Sequence, residues 1–273
     1  MQVKNLEQID FSIIMECFLK AFENYFVKMP IEHDYYKKRW KTAGVRLDLS
    51  YGMFDGNTLV GFIINAIDER NGKLIAFNTG TGVLPEYRGQ YIVRSIYQFA
   101  LPELQKHRVS ECRLEVIKDN KKAIKIYEGI GFTITKSFKC YHGDFLLKNK
   151  VQDFELKTVE SSYFDWKTLQ QNTYSWDNYY TTVTKGTYDY YIISVQGNSD
   201  SYFIMNPENG YISQFNVLRE STNNWIRLFT AIRSVSKTIK INNVDEVLKE
   251  KIDVLEEIGL KNTVDQYEMK MLL

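Results

Sequence analysis

Two stretches of the chain hold residue types at spacings that could do chemistry. The first is Val83-Leu84-Pro85-Glu86-Tyr87-Arg88-Gly89-Gln90-Tyr91-Ile92-Val93. It reads as a strand end, a short loop and a helix start. The first amides of a helix have no internal partners and sit at its positive dipole end. Several of them can therefore converge on a phosphate. Gly89 lets the chain turn sharply, and Arg88 either adds charge or anchors the loop. The second stretch runs from Leu114 to Phe132 through Asn120, Ala123, Tyr127 and Gly131. Asn120 is a natural helix cap, because its amide oxygen can accept from an early helix N–H. Ala123 and Tyr127 are four apart and share a helix face, so a small residue lies beside a phenol. Gly131 suits a helix C-terminus. Taken singly, each stretch also fits a plain alternative: a connection without a ligand, and an ordinary core tyrosine.

These residues need a scaffold, and the apolar periodicity supplies one. A short strand at 1–5 precedes a helix over 10–26, which Met29-Pro30 ends. A short helix follows at 34–43. Strand-like alternation then runs through 47–54, 59–67 and 73–84, with turns at Asp55-Gly56-Asn57 and Asn71-Gly72. A helix over 90–104, a strand at 111–117 and a helix at 120–129 come next. A hairpin of 132–138 and 139–147 closes the half. The second half repeats a similar order: a strand at 154–159, a helix at 162–171, tyrosine-rich strands at 188–196, 201–206 and 210–218, a helix at 222–236, a strand at 237–242, a helix at 244–257 and final strands to Leu273. The expected fold is α/β, an α+β arrangement on a mixed sheet. The polar segment 149–153 separates domains of 1–148 and 153–273. An internal duplication fits the order, with Gly131-Phe132 set against Gly259-Leu260.

Together the two stretches resemble the GNAT superfamily of acyl-CoA-dependent N-acyltransferases. The resemblance rests on Val83, Pro85, Arg88 and Gly89 of the phosphate loop, and on Leu114, Val116, Asn120, Ala123, Tyr127, Gly131 and Phe132 of the later motif. It covers about residues 1–148. Tyr91 and Val93 depart from it, standing where small residues usually meet the pyrophosphate. The resemblance implies that the amides of Arg88, Gly89, Gln90, Tyr91, Ile92 and Val93 hold the CoA pyrophosphate. It implies that the backbone around Val83 pairs with the pantetheine arm, that Asn120 contacts this arm beside Ala123, and that Tyr127 protonates the departing thiolate. Glu115, twelve residues before Tyr127, is the candidate general base, by resemblance to the GNAT enzymes that acetylate ribosomal-protein N-termini. Glu69 is the runner-up. Glu115 alternates with Arg113 and Ile117, so an ion pair to Arg113 or a lysine is its plain alternative.

The chemistry so implied is direct acetyl transfer from acetyl-CoA to a primary amine, either a small molecule or a peptide N-terminus. An amine attacks only when neutral, so an ammonium with a pKa of about 10 needs a base. The developing oxyanion needs donors, which backbone amides at the end of the 73–84 strand could supply. The rival reading is a non-catalytic acyl-CoA-binding or interaction protein on the same scaffold, to which Tyr91 and Val93 point.

The remaining sequence narrows the class. With 44% hydrophobic and 25% charged residues, the 273-residue chain has the composition of a folded protein, and its length suits two domains. Residues 1–148 carry 22 basic and 17 acidic residues and the remainder 13 and 17, or +5 and −4. That is too weak for a nucleic-acid surface. No run approaches a membrane span, and the first 30 residues lack an uninterrupted apolar core for a signal peptide. Cys17, Cys112 and Cys140 are scattered and odd in number, as expected of reduced thiols in a cytoplasmic protein. The three histidines have no metal-ligand spacing. Lys118, Lys121, Lys122 and Lys125 form a basic run that meets a 3′-phosphate or faces solvent. In the second half, Leu248 and Leu255 fall where Asn120 and Tyr127 stand, and an Arg-Gly loop is missing. This half therefore reads as a degenerate GNAT-like domain that binds no cofactor. Its tyrosines (Tyr179, Tyr180, Tyr188, Tyr190, Tyr191) line a cleft or pack a core. No pattern specifies an oligomeric state.

Overall fold

The computed structural model describes residues 1–147, 151, 153–218 and 222–273. Two compact units are present: Met1–Thr135 together with Tyr267–Leu273, and Lys136–Gln266. These do not coincide with the expected ranges 1–148 and 153–273. The chain passes into the second unit within a strand, and its last seven residues belong to the first unit. Of the expected boundary at 149–153, residues 149, 150 and 152 lie outside the described residues.

In the first unit, β1 (Gln2–Asn5), α1 (Phe11–Ala21) and α2 (His33–Ala43) precede a meander of β2 (Tyr51–Asp55), β3 (Thr58–Arg70) and β4 (Lys73–Val83). Then come α3 (Ile92–Lys106), β5 (Glu111–Ile117), α4 (Lys121–Ile130) and β6 (Thr133–Asp144). The strands run β1-β2-β3-β4-β5, followed by the chain's C-terminal residues and the start of β6. Local chemistry sets the helices. Asp10 caps α1 by accepting from Ser12 N, and the helix buries Ile14, Met15, Phe18 and Ala21. It stops at Ala21, short of the expected residue 26. The residues 47–49 form a single 3₁₀ turn, so β2 starts at Tyr51. The expected hairpin over 132–147 is one strand, β6, with no reversal at Phe138-Lys139. Turn residues are missing there, and alternation simply continues.

The second unit continues from β6 through β7 (Glu155–Val159), a one-turn helix α5 (Tyr180–Val183), β8 (Asp189–Val195), β9 (Asn198–Asn206), β10 (Tyr211–Val217), α6 (Thr222–Val235), β11 (Thr238–Asp245), α7 (Lys249–Glu257) and β12 (Lys261–Leu272). Its strands run β6-β11-β10-β9-β8-β7. The expected helix at 162–171 does not form; the segment holds two 3₁₀ turns, Ser161–Tyr163 and Gln171–Thr173. Side-chain amides explain this. Gln171 and Asn178 are buried, and Gln214 Nε2 of β10 donates to Gln171 Oε1 (3.0 Å) and to the Asn178 carbonyl (2.6 Å). A regular helix would withdraw these groups from their partners. The helix expected over 244–257 starts at Lys249, because β11 runs on to Asp245. Tyr190 and Tyr191 pack in cores, Tyr191 stacked on Phe203 at 4.5 Å.

Candidate active site

The site of the first unit is built where β4 and β5 part. The two strands pair in parallel from Ile75↔Glu111 to Asn78↔Leu114, yet β4 continues to Val83 and β5 to Ile117. The departure coincides with a bulge in β4. Against β3, the register passes from Ile64↔Gly80 to Asn65↔Asn78, which leaves Thr79 as the extra residue. A bulge bends its strand and re-aims its groups. The Thr79 hydroxyl is buried and has no hydrogen-bond partner. Such a group costs about 1–3 kcal/mol when left unsatisfied.

A polar chain surrounds the bulge. Gly80 N–H donates to Asn78 Oδ1 (3.0 Å), which fixes the amide's orientation. Asn78 Nδ2 then donates to Tyr97 Oη (2.6 Å) and to Thr81 Oγ1 (2.5 Å). Thr81 also hydrogen-bonds Tyr97 and Tyr127. With both Asn78 amide protons given out, the Thr81 hydroxyl links the Tyr97 and Tyr127 phenols. Burial pushes the Tyr127 phenol up to about 12, against a smaller lowering by Thr81. The phenol is thus neutral at every physiological pH, a donor and not a base. Burial also pushes Tyr97 well up.

α4 delivers Tyr127 to this place. Asn120 caps the helix by accepting from Ala123 N (3.2 Å), and Gly131 ends it at φ 123°. Tyr127 then packs edge-on to Phe132 (5.9 Å) within the core that holds Leu114 and Val116. By strand alternation Glu115 points to the opposite face. It lies one residue past the last β4–β5 pair and is half-buried. Glu115 and Tyr127 therefore approach the β4–β5 opening from opposite sides. Arg113, its neighbour on that face, is engaged by Glu111 and stands 3.9 Å from Glu268. Glu69 is not brought to the site. It is exposed at the far end of β3, paired with Leu74, five residues from the bulge.

The loop after β4 carries the second half of the site. A 3₁₀ turn at Pro85–Tyr87 leads to Gly89 at φ 81° and Tyr91 at φ 57°, and α3 begins. No side chain caps α3, so its first amides are open. The Arg88 guanidinium is used internally. Its Nε donates to the Val83 carbonyl (3.2 Å) and its Nη2 to the Ala21 carbonyl (2.9 Å), tying β4, the loop and the end of α1 together. Arg88 anchors the loop and does not reach outward. Gln90 is exposed beside Gly89. The two residues that break the sequence pattern have different fates. Tyr91 projects outward, 78% exposed, while Val93 is buried in the core with Ile92 and Ile96.

The sequence reading did not single out Asn78, Thr79, Thr81, Tyr97 or Tyr25. The available signal was Asn78-Thr79-Gly80-Thr81-Gly82, since glycines inside a strand mark close approach. Here the approach is by α1: a Cβ on Gly82 would lie 2.8 Å from Ala21 Cβ, and one on Gly80 3.1 Å from the Phe18 ring. Tyr25, just beyond α1, hydrogen-bonds the Asn120 side chain. Asn120 is thus engaged both by its own helix and by the loop after α1. Lys121, Lys122 and Lys125 are exposed on α4, and Lys118 lies 5.1 Å from the Tyr267 ring. Among the described residues no group of three or more His, Cys, Asp or Glu could hold a metal, and no helix is long and apolar enough to cross a membrane.

Residues 11–132 match the acetyltransferase (GNAT) family. N-alpha-acetyltransferase 30 of Saccharomyces cerevisiae is 30% identical over 87 residues, 32% of this chain and 49% of the relative. The chain thus spans about half the length of that curated relative. Among solved structures, a tandem GNAT protein from the clavulanic acid biosynthesis pathway superposes with a TM-score of 0.68 at 13% identity, over 99% of this chain and 98% of the other. A GCN5-related N-acetyltransferase from Sphaerobacter thermophilus gives 0.72 at 9% identity, over 99% and 95%. These two likenesses establish the fold. Residues 11–132 thus match the acetyltransferase (GNAT) family, and the chain shares its fold with a tandem GNAT protein.

Proposed function

We propose that the first unit transfers an acetyl group from acetyl-CoA to a primary amine, a small molecule or a peptide N-terminus, by direct attack. The observation that carries this reading is the β4–β5 opening at the Thr79 bulge, with the uncapped start of α3 after β4 and the neutral Tyr127 phenol delivered by α4. The residues present fit the co-substrate. The open amides of Gly89 to Val93 suit a pyrophosphate, and the β4 edge beyond the bulge suits an extended amide-bearing arm. Asn120 and Ala123, at the start of α4, are assigned to contact that arm.

In the transfer, Glu115 takes a proton from the ammonium. The amine lone pair attacks the thioester carbon and the C–N bond forms; as the C–S bond breaks, the nitrogen gives its second surplus proton to solvent and a neutral amide remains. Amides at the bulge stabilise the oxygen as it gains charge. Tyr127 meets the departing sulfur as a hydrogen-bond donor. Complete proton transfer from a phenol near 12 to a thiolate of about 8.5 is uphill by roughly 5 kcal/mol. The phenol therefore stabilises the thiolate, which takes its proton from solvent on release. A cytoplasmic setting is consistent with three buried cysteines outside any disulfide, two of which, Cys17 and Cys112, burial pushes up to about 12. The test is thermal-shift screening with acetyl-CoA, followed by an amine and peptide panel read by free-thiol release. Binding without turnover on any acceptor would favour the non-catalytic reading.

A further inference from the structure

The second unit contains the same opening, and a side chain of the chain itself stands in it. β10 pairs in parallel with β11 only at Tyr211↔Lys240 and Ile212↔Ile241, yet the two strands continue to Val217 and Asp245. As in β4, a bulge falls immediately after the last pair: the β9 register passes from Ile212↔Met205 to Gln214↔Ile204, with Ser213 extra. The two bulges place Thr79 against Ser213 and Thr81 against Phe215. The caps of α4 and α7, Asn120 and Leu248, fix the helices at the same offset as Gly131 and Gly259. Lys251 then stands where the first unit has Ala123, and Leu255 where it has Tyr127.

The lysine turns inward. Lys251 is 6% exposed, its Nζ donates to the Phe215 carbonyl (2.7 Å), and it lies 4.5 Å from the Phe215 ring centroid and 5.7 Å from that of Tyr174. Tyr174 Oη donates to the same carbonyl (3.4 Å). The cavity that remains between Tyr174, Ser213, Phe215, Asn243, Asp245 and Lys251 is about 10 Å³, room for one water. A buried lysine is rare without a partner of opposite charge, and burial lowers this one to about 7.

We infer that Lys251 is the resident occupant of the second unit's cleft. It fills the space that Ala123 leaves free in the first unit, and it takes the strand carbonyl that an incoming amide-bearing arm would use. The second unit is thereby closed to acyl-CoA, and the chain takes one acyl-CoA, in the first unit. Removing the side chain uncovers a slot for a small primary alkylammonium, held by the Phe215 carbonyl and the rings of Phe215 and Tyr174. The stoichiometry rests on the proposed function; the occupancy of the cleft does not.

The experiment uses the full chain as wild type, Lys251→Ala and Lys251→Met. The Tm of Lys251→Ala should fall by several degrees and recover in millimolar n-butylammonium, which should leave wild type and Lys251→Met unmoved. Failure of the amine to raise the Tm of a folded Lys251→Ala overturns the inference. Lysine acetylation footprinting keeps the inference falsifiable if that variant does not fold. In the native wild type, Lys251 should be protected at least tenfold relative to exposed Lys249, and equal labelling overturns it. Calorimetry should find one acetyl-CoA per wild-type chain, abolished by Gly89→Val, and two sites overturn the closure. A wild type that binds none while the rescue and footprint hold would refute the proposed function and leave the occupancy standing.

Discussion

Replacing Tyr127 with phenylalanine removes one oxygen from a position where the structure defines its partners. The phenol shares a hydrogen bond with the Thr81 hydroxyl, and its proposed role is to donate to the departing sulfur. Because burial holds the phenol near 12, its contribution is a charge-assisted hydrogen bond and not a full proton transfer. Such bonds are worth about 1.5–3 kcal/mol, so kcat should fall about 10- to 150-fold. Transfer of the proton itself would have placed the loss in the range of about 10²–10⁴. The acetyl-CoA Kd should barely change, since the bond forms only as the sulfur gains charge. Stability should drop by about 1 kcal/mol, because the Thr81 hydroxyl loses a hydrogen-bond partner. The assay is free-thiol release at saturating acetyl-CoA and amine, from pH 6 to 10, with the Kd measured by calorimetry. The ratio of wild-type to variant rates should be constant over that range, as the phenol stays neutral throughout. An unchanged kcat, or a ratio that titrates between pH 7 and 9, would refute the reasoning.

Four further outcomes follow. Glu115→Gln should lower the rate most at neutral pH and recover as pH approaches the amine's own pKa, which a pH–rate profile checks. Gly89→Ala meets no atom within 4 Å but sits at φ 81°, so the strain of about 1 kcal/mol should appear as weaker acetyl-CoA binding with little change in the fold. Val93→Ala should do the reverse, lowering stability by about 1–3 kcal/mol through a core cavity while leaving the Kd intact. For Lys251, whose folded value near 7 lies below its unfolded value of 10.5, the unfolded chain binds the extra proton between those limits. Stability should therefore rise as pH increases from 7 to 10, and urea unfolding should show this slope flattened in Lys251→Met. Tyr174 and Asp245 line the same cavity and are unchanged in that variant.

The first unit's site was legible wherever its residues form one local element. The cap at Asn120, the Ala123–Tyr127 face and the strand–loop–helix around Gly89 are short-range signals, and they form as read. Features that depend on pairing between strands were not legible. The Thr79 bulge is a register difference between β3 and β4, and a single strand's alternation carries no trace of it. Arg88's role depended on which carbonyls the fold brought within reach. The 162–171 segment failed as a helix because buried amides at Gln171 and Asn178 found partners on β10, a tertiary choice that outweighs local pattern. The assignment of Tyr267–Leu273 to the first unit is equally non-local. Lys251 looks in sequence like any lysine on an amphipathic helix; only the parting of β10 from β11 gives it a place to turn inward.

The central claim is that the β4–β5 opening of the first unit holds acetyl-CoA. Thermal denaturation of the wild-type chain across an acetyl-CoA titration tests it most directly. At tenfold excess over Kd, binding should add about 1.4 kcal/mol of stability and raise Tm accordingly, and Gly89→Val should remove the shift. No shift with millimolar acetyl-CoA or any other acyl-CoA would contradict the account.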